Sequence, residues 1–314
     1  MKSLAGTLAA PFPWFGVKSL ACADVWAAFG DVDNYGEPFA GSAAMLLGAP
    51  EGKRVETIND ADGFVANFWR AVANDAESVA EHADWPCNEA DLFARHSWLV
   101  RGKQSLLDSL HSDPNWHDAK ITGWWCWGLC NWIGSGWCSG TGPWIHDGAR
   151  LVDSRQLPHL SAGQGRSAYI REWFAALQER MRNVRVACGD WSRVVTDSVT
   201  TRHGLTGVFL DPPYTMGAMD YAAGGVGGAL ADAVLTWCLH AGRDKNLRIV
   251  LCGHAGEHDA LLAAGWHTRT WCARKGYALT DEARANSASE TLWCSPHCVP
   301  FAKTQVGLFD EAAA

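Results

Sequence analysis

Apolar and polar positions along this chain follow two periods, one helical and one of buried strands. A proline- and aromatic-rich loop, Pro11-Phe12-Pro13-Trp14-Phe15-Gly16-Val17-Lys18, leads into apolar residues at helical spacing from Leu20 to Phe29. The segment from Asn34 to Leu47 reads as a short strand ending at the small-residue turn Glu37-Pro38-Phe39-Ala40-Gly41-Ser42, which runs straight into a helix. Arg54 to Ile58 predicts a second strand, and Asn59-Asp60 predicts the cap of a helix whose apolar positions are Phe64, Phe68 and Val72. Strand, tight turn, helix, strand and acid form the opening of a doubly wound α/β sheet.

This pattern breaks after about Asp84. A long stretch of mixed helix and loop follows, with tryptophans at 124, 125, 127, 132, 137 and 144. Sheet-like patterning returns near Val184. The spacing of Ile170, Trp173, Phe174, Leu177 and Met181 predicts a helix over 168–181, then a strand over 185–188 and the turn Gly189-Asp190-Trp191. Gly207 to Leu210 is an apolar strand ending at Asp211, and Leu247 to Cys252 is a further buried strand. Glu257 to Ala264 predicts a helix, and His267 to Cys272 a strand that pairs with Glu290 to Cys294. There is no internal repeat or low-complexity tract. The expected organisation is one α/β domain over residues 1–84 and 184–314, interrupted by a largely helical insertion over 85–183, a length that suggests a functional module.

Composition narrows the setting. With 314 residues, 48% of them hydrophobic and 19% charged, the chain is expected to be a soluble globular protein. The sequence contains no apolar run long enough to span a bilayer and no signal-like segment before Pro11, so a cytoplasmic, monomeric protein without a membrane partner is expected. The 11 cysteines are an odd number spread over the chain, a pattern of reduced thiols rather than of a disulfide framework. A net charge of −8 excludes a generic polycation, yet residues 150–193 hold eight arginines against four acids.

The strongest chemical signal is Asp211-Pro212-Pro213-Tyr214, immediately after an apolar strand. Ligands of α/β sheets bind at the carboxyl ends of strands. Two prolines stiffen the backbone so that the Asp211 carboxylate and the Pro212 carbonyl offer two acceptors to the two hydrogens of one amino group. Tyr214 is suited to stacking on the ring that bears the amine. Such a site draws the nitrogen lone pair out of conjugation for attack on a methyl sulfonium, without a covalent enzyme intermediate. A plain turn after a buried strand has the same composition. Likewise, the Glu37 to Leu47 turn suits close approach of a cofactor and Asp60 stands where an acid binds ribose hydroxyls, whereas small-residue packing and helix caps explain the same residues. Taken singly, Lys18 reads as a solvated charge and Trp14 as a core residue.

In this order, the Pro11 to Lys18 loop, Glu37 to Ser42, Asn59-Asp60, an insertion, Gly189-Asp190-Trp191 and Asp211 to Tyr214 resemble the Dam-like, alpha-type adenine-N6 DNA methyltransferases, most closely phage and prophage members. The resemblance spans nearly the whole chain. It implies a Rossmann-like sheet that binds S-adenosyl-L-methionine, an inserted target-recognition region, and double-stranded DNA as the partner. It further implies that Trp14, Lys18, Glu37, Pro38, Phe39, Gly41 and Asp60 surround the cofactor, with Asp190 and Trp191 near its adenine, and that Asp211 and Tyr214 serve the target base. The chain departs from the family at Val17, where a glycine is usual, and at Ala43, where a glycine or similar small residue is usual and alanine is a mild change. Val17 would be strained at a positive φ.

The insertion is expected to read DNA. Arg150, Arg155, Arg166 and Arg171 are candidates for phosphate or guanine contacts, with a solvated helix face as the alternative for any one of them. The tryptophan cluster suits either stacking on a displaced base or, for most of its members, a small aromatic core. The glycine-rich stretch from Met216 to Gly228 reads as a flap that carries Asp220 and Tyr221. Cys126, Cys130, Cys138 and His146, or Cys294, His297 and Cys298, lack the paired spacing of a zinc site, so no metal is expected. Pro86-Cys87 reads as a surface turn rather than a nucleophile. Besides adenine-N6 methylation, an amino-methyltransferase acting on cytosine N4 or RNA and a non-catalytic, methylase-like DNA-binding protein also fit the sequence.

Overall fold

The structure, a computed structural model, describes residues 8–14, 18–132, 136–138, 166–213, 227–270 and 290–300. The strands are β1 (Asn34–Glu37), β2 (Val55–Asp60), β3 (Arg185–Cys188), β4 (Thr206–Leu210), β5 (Leu247–His254), β6 (His267–Thr270) and β7 (Glu290–Cys294). They form one seven-stranded sheet in the order β3-β2-β1-β4-β5-β7-β6. Pairing is parallel from β3 through β5, while β7 runs antiparallel to both β5 and β6. The chain winds outward from β1 to β3 and then crosses back to β4 on the other side of β1. Ligands of such sheets bind where the strand order reverses, here at the carboxyl ends of β1 and β4.

Strand period explains why both faces are covered. Phe209, Val250, Cys252, Leu292 and Cys294 point into one apolar core, while their neighbours Val208, Leu210, Ile249, Leu251 and Trp293 point into another. The first core is roofed by α1 (Cys22–Phe29), α2 (Ala44–Leu47) and α3 (Gly63–Ala83). The second lies beneath α7 (Gly227–Ala241) and the 3₁₀ turn Asp259–Ala264, where a helix was expected over 257–264. Gly227 and Gly228 begin α7, and the rest of the expected flap lies outside the described residues.

The helix after β2 forms as its apolar spacing predicts, but its cap is not Asn59-Asp60. Asp60 is still strand, and Asp62 caps α3 by accepting the Phe64 N–H at 2.9 Å. The chain needs two further residues to turn from strand to helix. Midway, Asp75 leaves helical geometry, and its carboxylate recaps the second half by accepting the Ser78 N–H.

The expected insertion contains α4 (Glu89–Ser112), α5 (Ala119–Asn131) and α6 (Arg166–Met181). Among the described residues it has no core of its own. Leu99, Ile121, Trp125, Ile170 and Phe174 belong to the same buried cluster as Tyr35 and Phe68. Helices α5 and α6 both pack along α3. Gly123 makes this close, since a Cβ there would lie 2.4 Å from the Cβ of His82. Asn67, fully buried on α3, fixes the register. It donates to the Asp118 carbonyl at 3.0 Å and to Thr122 Oγ1 at 2.8 Å, and accepts the Asp118 N–H at 3.0 Å. Trp125, Trp127 and Trp137 are buried, so these members of the tryptophan cluster are core; Trp144 lies outside the described residues. No described helix is long and apolar enough to cross a membrane.

Asn67→Ala is therefore expected to lower stability by about 1–3 kcal/mol, because it removes three hydrogen bonds between the helices and leaves the Asp118 N–H without its partner. Urea denaturation checks this, and a change below about 0.5 kcal/mol would show that α5 does not depend on this bridge.

Candidate functional site

Strands β1, β2 and β4 deliver three carboxylates to one edge of the sheet. Glu37 ends β1, Asp60 ends β2, and Asp211 follows β4. The turn after β1 is built around them. Gly41 has φ +45°, donates its N–H to Asp60 Oδ2 at 3.0 Å and presents its carbonyl to Trp69 Nε1 at 2.9 Å. A Cβ on Gly41 would come within 2.1 Å of Trp14 Nε1, so the indole of Trp14 covers the turn directly. Asn59 ties the strand ends together by donating to the carbonyls of Pro38 and Gly189, each at 3.0 Å. Its own Oδ1 is buried without a hydrogen-bond partner.

Ala43 corrects the expectation that alanine is a mild change here. It lies at φ +49° and ψ +36°, in the left-handed region, where a side chain costs about 1–2 kcal/mol relative to glycine. Val17 lies outside the described residues.

Glu37 serves the turn from below. Its Oε2 accepts from Tyr35 Oη at 3.0 Å and from the Leu46 N–H at 3.2 Å. Tyr35 and Glu37 are two residues apart on a strand, so their side chains share a face. Burial pushes the Glu37 carboxyl up to about 8, against the lowering effect of these hydrogen bonds, and the charge of Asp211 adds to the rise. Burial also pushes half-buried Asp60 up to about 6, while the N–H groups of Asp62 and Gly41 oppose it. At the β3 end, Phe39 and Trp191 stack with ring centroids 6.0 Å apart and planes 26° from parallel. Asp190 beside them is exposed and accepts the Ser192 N–H at 2.9 Å.

Lys18 lies in a 3₁₀ turn before α1 and is not a solvated charge. It is 6% exposed, with Nζ 3.2 Å from Asp211 Oδ1 and 2.9 Å from Glu290 Oε2. Burial acts to lower its pKa, but Asp211, Cys252 and Glu290 outweigh it and hold the ammonium well above the ordinary lysine range. Lys18, assigned to the cofactor by the resemblance, thus lies at the Asp211 side of the edge. Glu290 was legible in the sequence only as the start of a strand. The available signal was a carboxylate opening the otherwise apolar run Thr-Leu-Trp-Cys.

Pro212 is buried and Pro213 half-buried beside Asp211. Tyr214, Asp220, Tyr221, Arg150 and Arg155 lie outside the described residues, as does the side chain of Arg166. Arg171 is exposed on α6. Arg180 does not face solvent freely. It forms a two-pronged pair with Glu56 at 2.6 and 2.9 Å and donates to the Leu46 carbonyl, which makes it a brace behind the turn. Part of the local arginine excess is therefore architectural.

All ten described cysteines are free thiols. Cys126 and Cys130 both face the Pro11 carbonyl, and Cys298 faces the Ile249 carbonyl. No group of three metal-ligating side chains converges among the described residues. Cys87 is exposed. Comparison with protein-family models and with curated proteins found no match for this chain.

Two predictions follow from this geometry. Gly41→Ala is expected to destabilise the fold by about 2 kcal/mol or more, through positive φ and collision with Trp14. Part of that loss should be recovered when Trp14→Ala is added, and strict additivity in the double mutant would contradict the contact. The second concerns pH. The folded-state pKa of Glu37, about 8, exceeds its ordinary 4.5, so between these values the folded protein holds a proton that the unfolded chain has lost. Stability should fall as pH rises through that window, by at most about 1.4 kcal/mol per pH unit from this group. Asp60 adds to the fall between its ordinary 3.8 and about 6. Denaturation midpoints from pH 5 to 8.5 should slope less steeply in Glu37→Gln, and an unchanged slope above pH 6 would show that Glu37 is ionised throughout.

Proposed function

We propose that this chain is an S-adenosylmethionine-dependent DNA methyltransferase that acts on the N6 amine of adenine. The observation that carries the reading is the Asp211 carboxylate at the carboxyl ends of β1 and β4, already engaging an N–H donor, the Lys18 ammonium, at 3.2 Å. An oxygen so placed can accept a hydrogen from a substrate amine. The two prolines restrict the backbone after Asp211, which suits the Pro212 carbonyl to act as a second acceptor. Two acceptors on one amino group turn its lone pair away from the ring and toward an electrophile.

The cofactor, when bound, supplies a methyl group on a sulfonium, an electrophile that needs no metal. The residues on the neighbouring strand ends fit its parts. Asp60, half-buried, keeps lone pairs for ribose hydroxyls beyond the two N–H groups that it accepts. The Phe39 and Trp191 pair, with Asp190 alongside, suits an adenine ring and its amine. In such a transfer the amine nitrogen would gain the methyl group as the sulfonium lost it, with Asp211 and Pro212 holding the amine. The nitrogen then sheds its extra proton, which Asp211 can take toward solvent.

The choice of adenine in duplex DNA rests on the Asp211-Pro212-Pro213-Tyr214 motif and its order after a cofactor turn and an arginine-bearing insertion. A base must leave the stack before its amine can reach such an edge. Incubation of the purified chain with duplex DNA and methyl-labelled S-adenosylmethionine should put label into N6-methyladenine. Asp211→Ala should reduce the rate by at least about 100-fold. Binding of DNA by the wild type without any label transfer would sink the proposal, and label in N4-methylcytosine would overturn the choice of base.

A further inference from the structure

We infer that Glu290 is a positioning residue for the reaction proposed above, holding Lys18 so that Asp211 stays available to the substrate amine; the inference rests on that reading. Glu290 is the first residue of β7 and pairs opposite His254 at the end of β5. Its carboxylate therefore reaches the same sheet edge as Asp211, one strand beyond β5. It is 7% exposed, and its Oε2 lies 2.9 Å from Lys18 Nζ, closer than Asp211 Oδ1 at 3.2 Å.

The competition at Asp211 makes this arrangement consequential. An ammonium is held by a carboxylate more strongly than a neutral amine is, because the donor itself carries a full charge. If the pull on Lys18 came chiefly from Asp211, the ammonium would outcompete an aromatic amine for the oxygen that the reaction needs. Glu290 changes the balance because it offers the same nitrogen a second ionised acceptor. Lys18 can then release Asp211 while remaining in an ion pair, and a buried ammonium is not left uncompensated at any stage. Both carboxylates lie within hydrogen-bond reach of the one nitrogen, so the exchange requires only a small rotation of the lysine side chain. Glu290 touches neither the base nor the methyl donor in this scheme, and acts through Lys18.

The test is a double-mutant cycle between Glu290→Gln and Lys18→Met, read as kcat for DNA methylation together with cofactor affinity. Glu290→Gln is expected to lower kcat about tenfold or more while cofactor affinity stays within about twofold. In the Lys18→Met background the same change should alter kcat by less than about twofold, because the residue through which it acts is gone. An equal loss in both backgrounds would overturn the inference. A second measurement needs neither activity nor a Glu290 variant: NMR of the protein labelled with ¹⁵N at lysine Nζ. One slowly exchanging ammonium signal, absent from Lys18→Met, should persist in Asp211→Asn because Glu290 still anchors it. Its disappearance in Asp211→Asn would overturn the inference. Wild-type protein that methylates nothing would defeat the proposed function, while the NMR result would still decide whether Glu290 anchors Lys18.

Discussion

The sheet edge depends on one shared cation. Asp211 and Glu290 bring two carboxylates into a poorly solvated edge, and Lys18 reaches both from the N-terminal turn. Buried charges persist in a fold only when compensated, and loss of one partner from such a set typically costs about 3–5 kcal/mol. The ammonium therefore does more than pair two side chains. It fixes the end of β4 and the start of β7 relative to a segment that precedes the first helix. Residues nearly the full length of the chain apart are held within a few ångströms by that single charge.

The second constraint lies on the other side of β1. The turn from Glu37 to Ala43 places Gly41 and Ala43 at positive φ, and only one of the two is a glycine. Strain of that kind persists when the surroundings determine the conformation from several sides. Here Glu37 accepts the Leu46 N–H beneath the turn, Asp60 accepts the Gly41 N–H, Trp69 donates to the Gly41 carbonyl, and Trp14 covers it. Burial raises the proton affinity of both carboxylates, so the turn rests on groups whose charge responds to what is bound nearby. A cationic ligand beside them would favour their ionised forms, which links ligand binding at this edge to proton release.

The helices between the two halves of the sheet are joined to it more closely than a separate module would be. Asn67 and Gly123 bring α5 against α3, and α6 lies along the same helix. Arg180 of α6 grips Glu56 of β2 and the Leu46 carbonyl, so this helix braces the turn after β1 from behind. A movement of these helices would be felt at Gly41 through α2 and β2. Trp125, Trp127 and Trp137 are buried in this junction, in keeping with the aromatic core expected for most of the cluster. Arg95 is enclosed by Trp85, Trp124 and Trp127 there, at 5.4, 4.9 and 4.2 Å from the ring centroids.

How much of this was legible in sequence follows from the range over which each signal acts. Strands β1 to β5, the α3 and α6 helices and the β6–β7 pairing were readable, because apolar period and turn residues are local properties. The positions of Glu37, Asp60 and Asp211 at strand ends followed directly from them. The cap of α3 was misplaced because Asn59, Asp60 and Asp62 all suit a cap, and only the backbone path shows which one the helix uses. That the inserted helices share the core of the sheet was not legible, because buried residues at helical spacing do not reveal what they are buried against. Lys18 illustrates the same limit: a single lysine beside an aromatic loop carries no sign that it will be desolvated. The sequence by itself determined the sheet, the acids at its carboxyl edge and the small-residue turn after β1. Only the tertiary structure decided that Lys18 joins Asp211 to Glu290 and that Ala43 bears a left-handed backbone, because ion pairing and strain depend on distances between segments that the sequence leaves far apart.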